Sequence, residues 1–276
     1  MQKRLNIKTL GRVSANLIVR LYDENHHIFK ADDVVRINNT TRATAVKLIH
    51  DLIARKIVFR LKNGKYMIIP QELGSTDTYS GNWYIVAREI VNSPSYYIAF
   101  YSAMRYWGMT THPLLKIFVV TPIRQVIPKA LKQTVMFVFV DKSKIWGVTS
   151  AWVTKTEKTN LSNIEKTIID AVAHPEYCGG MTEVAKGIWL AKDRIDYKLL
   201  LSYVQKYGKN VVAKRIGYIL ELTEIGPSWL LDALKKYVRL RYDIFDPTMG
   251  KRAIKGNSWR LLDNVGAEQI RKILQA

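Results

Sequence analysis

Glu165 and Asp170 form the acidic pair with the best claim to general acid–base chemistry, which needs two carboxyl groups facing one substrate. Five residues apart on a helix, they lie about 140° apart around the axis and do not face a common point. Glu165 also closes the capping box Ser162-x-x-Glu165, which gives it a structural task. His26, His27, His50, His112 and His174 are scattered, with no H-E-x-x-H and no second metal-ligand pair at usable spacing. Cys178, the one cysteine, excludes an internal disulfide and a cysteine-rich zinc cluster. It precedes Gly179-Gly180 in an expected loop; a reactive thiol needs a lowered pKa, which a sequence does not display, so it reads as inert. That glycine pair matches neither a P-loop nor a dinucleotide fingerprint, and G-x-S-x-G and the kinase signatures are absent. The sequence therefore predicts no enzyme, no metal and no cofactor.

A different chemistry is available near the start of the chain. Thr40, Thr41 and Thr44 are short hydroxyl side chains interleaved with Arg42 and Lys47. Small polar residues let a helix approach base edges, and Arg and Lys reach guanines or phosphates. Arg60, Lys62, Asn63 and Lys65 follow, a basic cluster suited to holding a phosphate backbone.

The elements that must position these groups are legible from periodicity. Leu10, Val13, Leu17 and Leu21 recur at helical spacing. A second helix is expected over about Ala31 to Ile37, with Asp32 and Asp33 complementing the dipole of its first turn. Asn38-Asn39 marks a turn, with Asn39 as N-cap of a third helix in which Ala45, Leu48, Ile49 and Leu52 face a core. The period then shortens to two on either side of Asn63-Gly64, the dipeptide that suits a type I′ hairpin turn, before Pro70 ends the pairing. Three helices and a basic-tipped hairpin make a winged helix-turn-helix, whose third helix enters the major groove. A protein-only winged helix is the alternative reading.

Charge points the same way. The formal net charge is +20, divided as +9 over residues 1–70, +5 over 71–234 and +6 over 235–276. A general lysine-rich surface explains an excess but not its concentration at the ends. At the C-terminal end Lys235, Lys236, Arg239, Arg241, Lys251, Arg252, Lys255 and Arg260 read either as a solvated face or as a second phosphate-binding surface. No apolar run approaches the roughly 20 residues that span a bilayer. No apolar signal core lies behind the charges of the first six residues, so a cytoplasmic protein is expected.

Beyond a short polar linker at Gly74–Thr78, helices and strands alternate. Ser93-Pro94 is expected to cap a helix running to Trp107, and the aromatics from Tyr96 to Trp107 read as core in preference to a stacking platform. Strands are expected at Ile117–Val120, Thr134–Val140 and Ile145–Val153, and two or three helices over Met181–Tyr237.

The runs Ser95–Met109 with Ile117–Thr121, Asn163–Asp170 with Pro175 and Gly179-Gly180, and Asp246-Pro247, Gly250, Trp259–Leu261 and Asn264-Val265 together resemble the AbiEi family. These are the antitoxin and regulator components of abortive-infection, type IV toxin–antitoxin systems. The resemblance implies a repressor that binds its own promoter as double-stranded DNA, with a C-terminal domain that counters a nucleotidyltransferase-like toxin. Some relatives act as regulators without a toxin, which leaves a standalone regulator, or a protein-binding antitoxin on a winged-helix scaffold, as alternatives. The family's recognition helix corresponds to Thr40 through Arg55, and Lys56 stands where many winged helices have glycine. The expectation is an α+β protein: a winged helix-turn-helix over residues 1–75 and a larger mixed α/β antitoxin-like domain over 76–276.

Overall fold

The computed structural model describes residues 10–24, 26–62, 64–69, 82–127, 131–250 and 255–274. The chain is mixed α and β and divides into two compact units, Met1–Ile90 with Gln125–Gln133, and Val91–Arg124 with Thr134–Ala276. The boundary expected at residues 75 and 76 lies outside the described residues, and the first unit runs on to Ile90.

In the first unit the order is α1 (Arg12–Asp23), β1 (Ile28–Phe29), α2 (Ala31–Asn38), α3 (Arg42–Ala54), β2 (Val58–Lys62), β3 (Lys65–Ile68) and the start of α4 (Trp83–Val91). The strands form an antiparallel sheet in the order β1-β3-β2. Its core gathers Leu17, Ile18, Leu21, Phe29, Val34, Ala45, Ile49, Leu52, Ile57, Val58, Tyr66 and Ile68. Val13, expected inward, is 60% exposed, because the buried stripe of α1 runs through Ser14, Leu17, Ile18 and Leu21. Asp33 Oδ2 accepts the Lys30 backbone N–H at 2.8 Å and so satisfies one open donor at the start of α2.

Asn39 is not the cap of α3. It ends α2 in the left-handed conformation (φ 45°, ψ 56°), and Thr41 caps α3 by accepting the Thr44 N–H at 3.3 Å. At the other end Lys56 takes φ +58°, the region a glycine would occupy, while its N–H bonds the Ile53 carbonyl and that of Ile57 bonds the Leu52 carbonyl, both at 3.0 Å. This pair of bonds is a Schellman closure, so the turn into β2 keeps the usual geometry despite the lysine.

The second unit is built on a five-stranded mixed sheet. Its strands are β4 (Tyr97–Ile98), β5 (Ile117–Thr121), β6 (Val135–Phe139), β7 (Val148–Trp152) and β8 (Lys158–Ser162), in the order β6-β5-β4-β8-β7. The helices are α5 (Phe100–Tyr106), α6 (Ile164–Ala173), α7 (Met181–Ala191), α8 (Tyr197–Tyr207), α9 (Asn210–Thr223), α10 (Ser228–Lys235) and α11 (Ala267–Leu274). The helix expected from Ser93 begins only at Phe100, since Tyr97 and Ile98 pair with β5 and β8. Four α-helices, rather than two or three, cover Met181–Tyr237.

A small sheet of β9 (Asp243–Ile244), β10 (Lys255–Gly256) and β11 (Leu261–Asp263) closes over α9. The distant motifs of the second unit meet here for structural reasons. Asp246 is buried, and its carboxylate accepts the Met181 N–H at the start of α7 (2.7 Å) and the Thr248 N–H and hydroxyl (2.8 and 2.6 Å). Asn264 brackets Asp246 through the latter's N–H and C=O at 2.9 and 2.7 Å. Trp259 lies so close to Gly217 that a Cβ there would sit 2.1 Å from its ring, and its indole donates to Glu221 at 2.6 Å.

Candidate nucleic-acid interface

α3 commits one stripe to the core and leaves polar side chains exposed around its first turns. Ala45, Ile49 and Leu52 are buried and Leu48 is half-buried, while Thr41, Arg42, Thr44, Lys47 and His50 are exposed and Thr40 is half-exposed just ahead. The hydroxyls of Thr41 and Thr44 are bonded to each other at 2.9 Å, which fixes two short polar groups side by side at the helix start. Arg42 pairs with Asp32 of α2 at 2.8 Å, but both side chains are about seven-tenths exposed (73% and 69%), so solvent screens the pair and its net worth is small. Such a guanidinium can exchange its carboxylate for another acceptor at little cost. Arg36 is held more firmly, donating to both oxygens of Glu24 at 3.0 and 2.5 Å, a bidentate contact that ties α2 to the end of α1.

The hairpin differs from expectation at one cation. Arg60 is exposed, whereas Lys65 is only 18% exposed and its ammonium lies 2.5 Å from Glu89 of α4, itself 20% exposed. Burial pushes the Glu89 carboxyl up, but the hydrogen bond and charge of Lys65, with Arg88 beside it, outweigh burial and leave it below the ordinary value of 4.5. Lys65 is thus engaged within the protein rather than presented to a phosphate. Asn63 and the side chain of Lys62 lie outside the described residues, although Lys62 pairs with Lys65 in the β2–β3 ladder. Exposed Arg55 and Lys56 extend the basic surface beyond α3, and the sequence signal for them was only the lysine standing at a glycine position.

At the C-terminal end the expected basic surface is divided. Lys236, Arg239 and Arg241 are exposed, with Leu240 between them. Lys235 sits 3.5 Å from Glu221 and 5.0 Å above the Trp259 ring, and Arg260 donates to the Leu240 carbonyl at 3.3 Å while lying against Tyr242. These two cations serve the local packing. Lys251, Arg252 and the side chain of Lys255 lie outside the described residues.

No protein-family model and no curated protein matches the chain. Its fold is similar to that in the crystal structure of the RV2827C protein from Mycobacterium tuberculosis, with a TM-score of 0.69 at 12% identity over 97% of this chain and 96% of that one. At that identity the likeness speaks for the fold alone.

The residues singled out for acid–base chemistry do not assemble a site. Glu165 is not the far end of a capping box: Asn163 caps α6, and the Glu165 carboxylate accepts the Asp196 N–H at 2.9 Å. Asp170 is buried against the Lys166 ammonium, which also donates to the Tyr97 hydroxyl at 3.0 Å and faces the Trp146 ring at 4.5 Å. Burial pushes the Asp170 carboxyl up in spite of Lys166. Cys178 is fully buried, and burial pushes its thiol well up, away from the reactive thiolate. Among the described residues no group of three or more His, Cys, Asp or Glu could hold a metal, and no helix is long and apolar enough to cross a membrane.

Proposed function

We propose that the chain is a sequence-specific DNA-binding transcriptional repressor whose first unit is a winged helix-turn-helix. The observation that carries this reading is the exposed N-terminal part of α3, where Thr41, Arg42, Thr44 and Lys47 stand uncovered around the first turns while Ala45, Ile49 and Leu52 are committed to the core. In this reading α3 lies in the major groove, with Arg42 able to leave Asp32 for a guanine edge, and the β2–β3 hairpin runs along the backbone through Arg60. The order helix, strand, helix, helix and hairpin, with a three-stranded antiparallel sheet, supports that docking. The second unit is an antitoxin-like domain opposing a nucleotidyltransferase-like toxin, a part of the proposal supported by the resemblance of its three motif runs to the AbiEi family.

The test is binding of the full chain to its own upstream DNA against a scrambled duplex over a salt series, with Arg42→Ala alongside. Site-selective binding that survives physiological salt is expected, and Arg42→Ala should weaken the preferred site by about 1–3 kcal/mol while leaving scrambled DNA nearly unaffected. Equal, salt-abolished binding to both duplexes would reject the repressor reading.

A further inference from the structure

The sheet of the second unit ends at β7, whose sequence Val148-Thr149-Ser150-Ala151-Trp152 carries no charge. Its ladder with β8 fixes which backbone groups are open. The bonds Asn163 N–H to the Gly147 carbonyl and Val153 N–H to the Glu157 carbonyl, both 2.9 Å, bracket the strand at odd-numbered positions. In an antiparallel pair the bonded positions alternate, so Thr149 and Ala151 turn their N–H and C=O toward β8, and Val148, Ser150 and Trp152 turn theirs outward. The Trp152 carbonyl accepts the Tyr106 hydroxyl at 2.9 Å. Among the described residues nothing bonds the outward groups of Val148 and Ser150. The same three residues share one face of the sheet, where Val148 and Ser150 are exposed and the Trp152 ring is 55% exposed beneath the Lys158 ammonium at 4.3 Å.

Charge decides what such an edge can accept. Lys142 and Lys144 precede β7, and Lys155 and Lys158 follow it across the hairpin turn; all four are exposed. Asp141 is occupied in bonding Ser143 at 2.8 Å, and with Glu157 in the turn, four lysines against two carboxylates leave residues 141–158 at a net charge of +2. β6, the opposite edge, is also uncharged and is flanked by Lys132 and Lys142, so what sets β7 apart is the further pair Lys144 and Lys155 with Lys158 above Trp152. Edge strands are commonly protected by a charge or proline within the strand. Here the lysines flank an uncharged strand and leave its middle open. Two copies pairing along this edge would bring both lysine sets together in a chain of net charge +20.

We propose that the β7 edge is a docking site for an extended acidic segment of a partner protein, which adds to the sheet as a sixth strand. Main-chain bonds to Val148 and Ser150 supply the pairing, the lysines at both ends select carboxylates, and the Trp152 face takes an apolar side chain at alternate positions. The site belongs to the second unit and stands whether or not the first unit binds DNA.

The probe is a fluorescently labelled seven-residue peptide alternating Glu with Val or Thr, titrated against the full chain by anisotropy. A lysine-for-glutamate version and an acidic version interrupted by proline serve as comparators. Preference for the uninterrupted acidic peptide is expected, weakened at least tenfold by Ser150→Pro, which removes an outward N–H that the β8 ladder does not use. Lys144→Glu with Lys155→Glu should weaken it similarly with the backbone edge intact, which keeps the test valid if Ser150→Pro disturbs folding. Equal binding of the proline-interrupted peptide, or indifference to the lysine reversals, would overturn the proposal in favour of diffuse charge attraction. Concentration-dependent dimerisation of the free chain, abolished by Ser150→Pro, would overturn it in favour of a second copy.

Discussion

The ammonium of Lys65 on the β2–β3 hairpin lies 2.5 Å from the carboxylate of Glu89 on α4, in a setting where each side chain is about four-fifths covered (18% and 20% exposed). The hairpin cation is therefore neutralised from within.

Under the proposed function, Glu89→Gln releases Lys65 to the DNA backbone. Each phosphate contact adds about 0.9 to the steepness of log K against log salt. Glu89→Gln should therefore bind duplex DNA more tightly at low salt, with a slope steeper by about 0.9. Lys65→Ala should leave the wild-type slope unchanged and remove the gain in the Glu89→Gln background. The measurement is anisotropy on scrambled duplex at several salt concentrations; an unchanged slope in Glu89→Gln would place Lys65 away from the backbone.

The same pair makes stability depend on acidity. The Glu89 carboxyl is depressed below its ordinary 4.5, so its contribution is fully present above that value and is lost as pH falls through the lower folded-state value. Wild type should exceed Glu89→Gln in thermal stability at neutral pH, and the two should converge once pH has fallen through the depressed folded-state value. Calorimetric melting of both proteins between neutral and acidic pH checks this; a difference that persists in acid would mean Glu89 acts through packing rather than charge.

Local pattern carried the first unit further than the second. The core face of α3 was readable because four apolar residues recur with the helical period and one element follows another closely. The Lys65–Glu89 pair was not, because 24 residues separate its members and each is locally an ordinary surface residue. For the same reason Glu165 read as a cap partner of Ser162, when its bond goes to Asp196, 31 residues away. β4 has two residues, too few to show a period, and it sits within a run whose capping serine and proline read as a helix start. β8, Lys-Thr-Asn-Leu-Ser, is polar yet lies inside the sheet, where Thr159 and Ser162 are buried with Leu161 and bond other elements. Sequence alternation presumes that buried means apolar, and that strand breaks the presumption.

Lys56 holds the left-handed position that closes α3, a conformation costing a non-glycine residue roughly 1–2 kcal/mol. Lys56→Gly should relieve most of that strain and stabilise the first unit by about 1 kcal/mol, since the Schellman bonds use only backbone. Chemical denaturation of the full chain, followed by a probe in the first unit, should show a later midpoint. A midpoint earlier than wild type would mean the side chain of Lys56 contributes more than its backbone costs.

Lys166 and Asp170 are nearly covered, at 3% and 6% side-chain exposure, one turn apart on α6. Removing one member of a buried pair strands the other charge and costs about 3–5 kcal/mol, whereas replacing both with apolar residues can be neutral. Lys166→Met should therefore destabilise the second unit by about that amount, and Lys166→Met with Asp170→Leu should recover most of it. Acidity separates this from simple misfit. Burial holds the Asp170 carboxyl above its ordinary 3.8, and loss of Lys166 removes the opposing cation, raising it further. A raised folded-state value gives stability that is present at low pH and lost as pH rises through it. The deficit of Lys166→Met should accordingly be smallest in acid and grow toward neutrality. Denaturant midpoints of the single and double variants across that range read the effect. A deficit independent of pH and unrepaired in the double variant would show that Lys166 matters for filling the space beside Gly147, where an added Cβ would lie 2.7 Å from its own, and not for balancing Asp170.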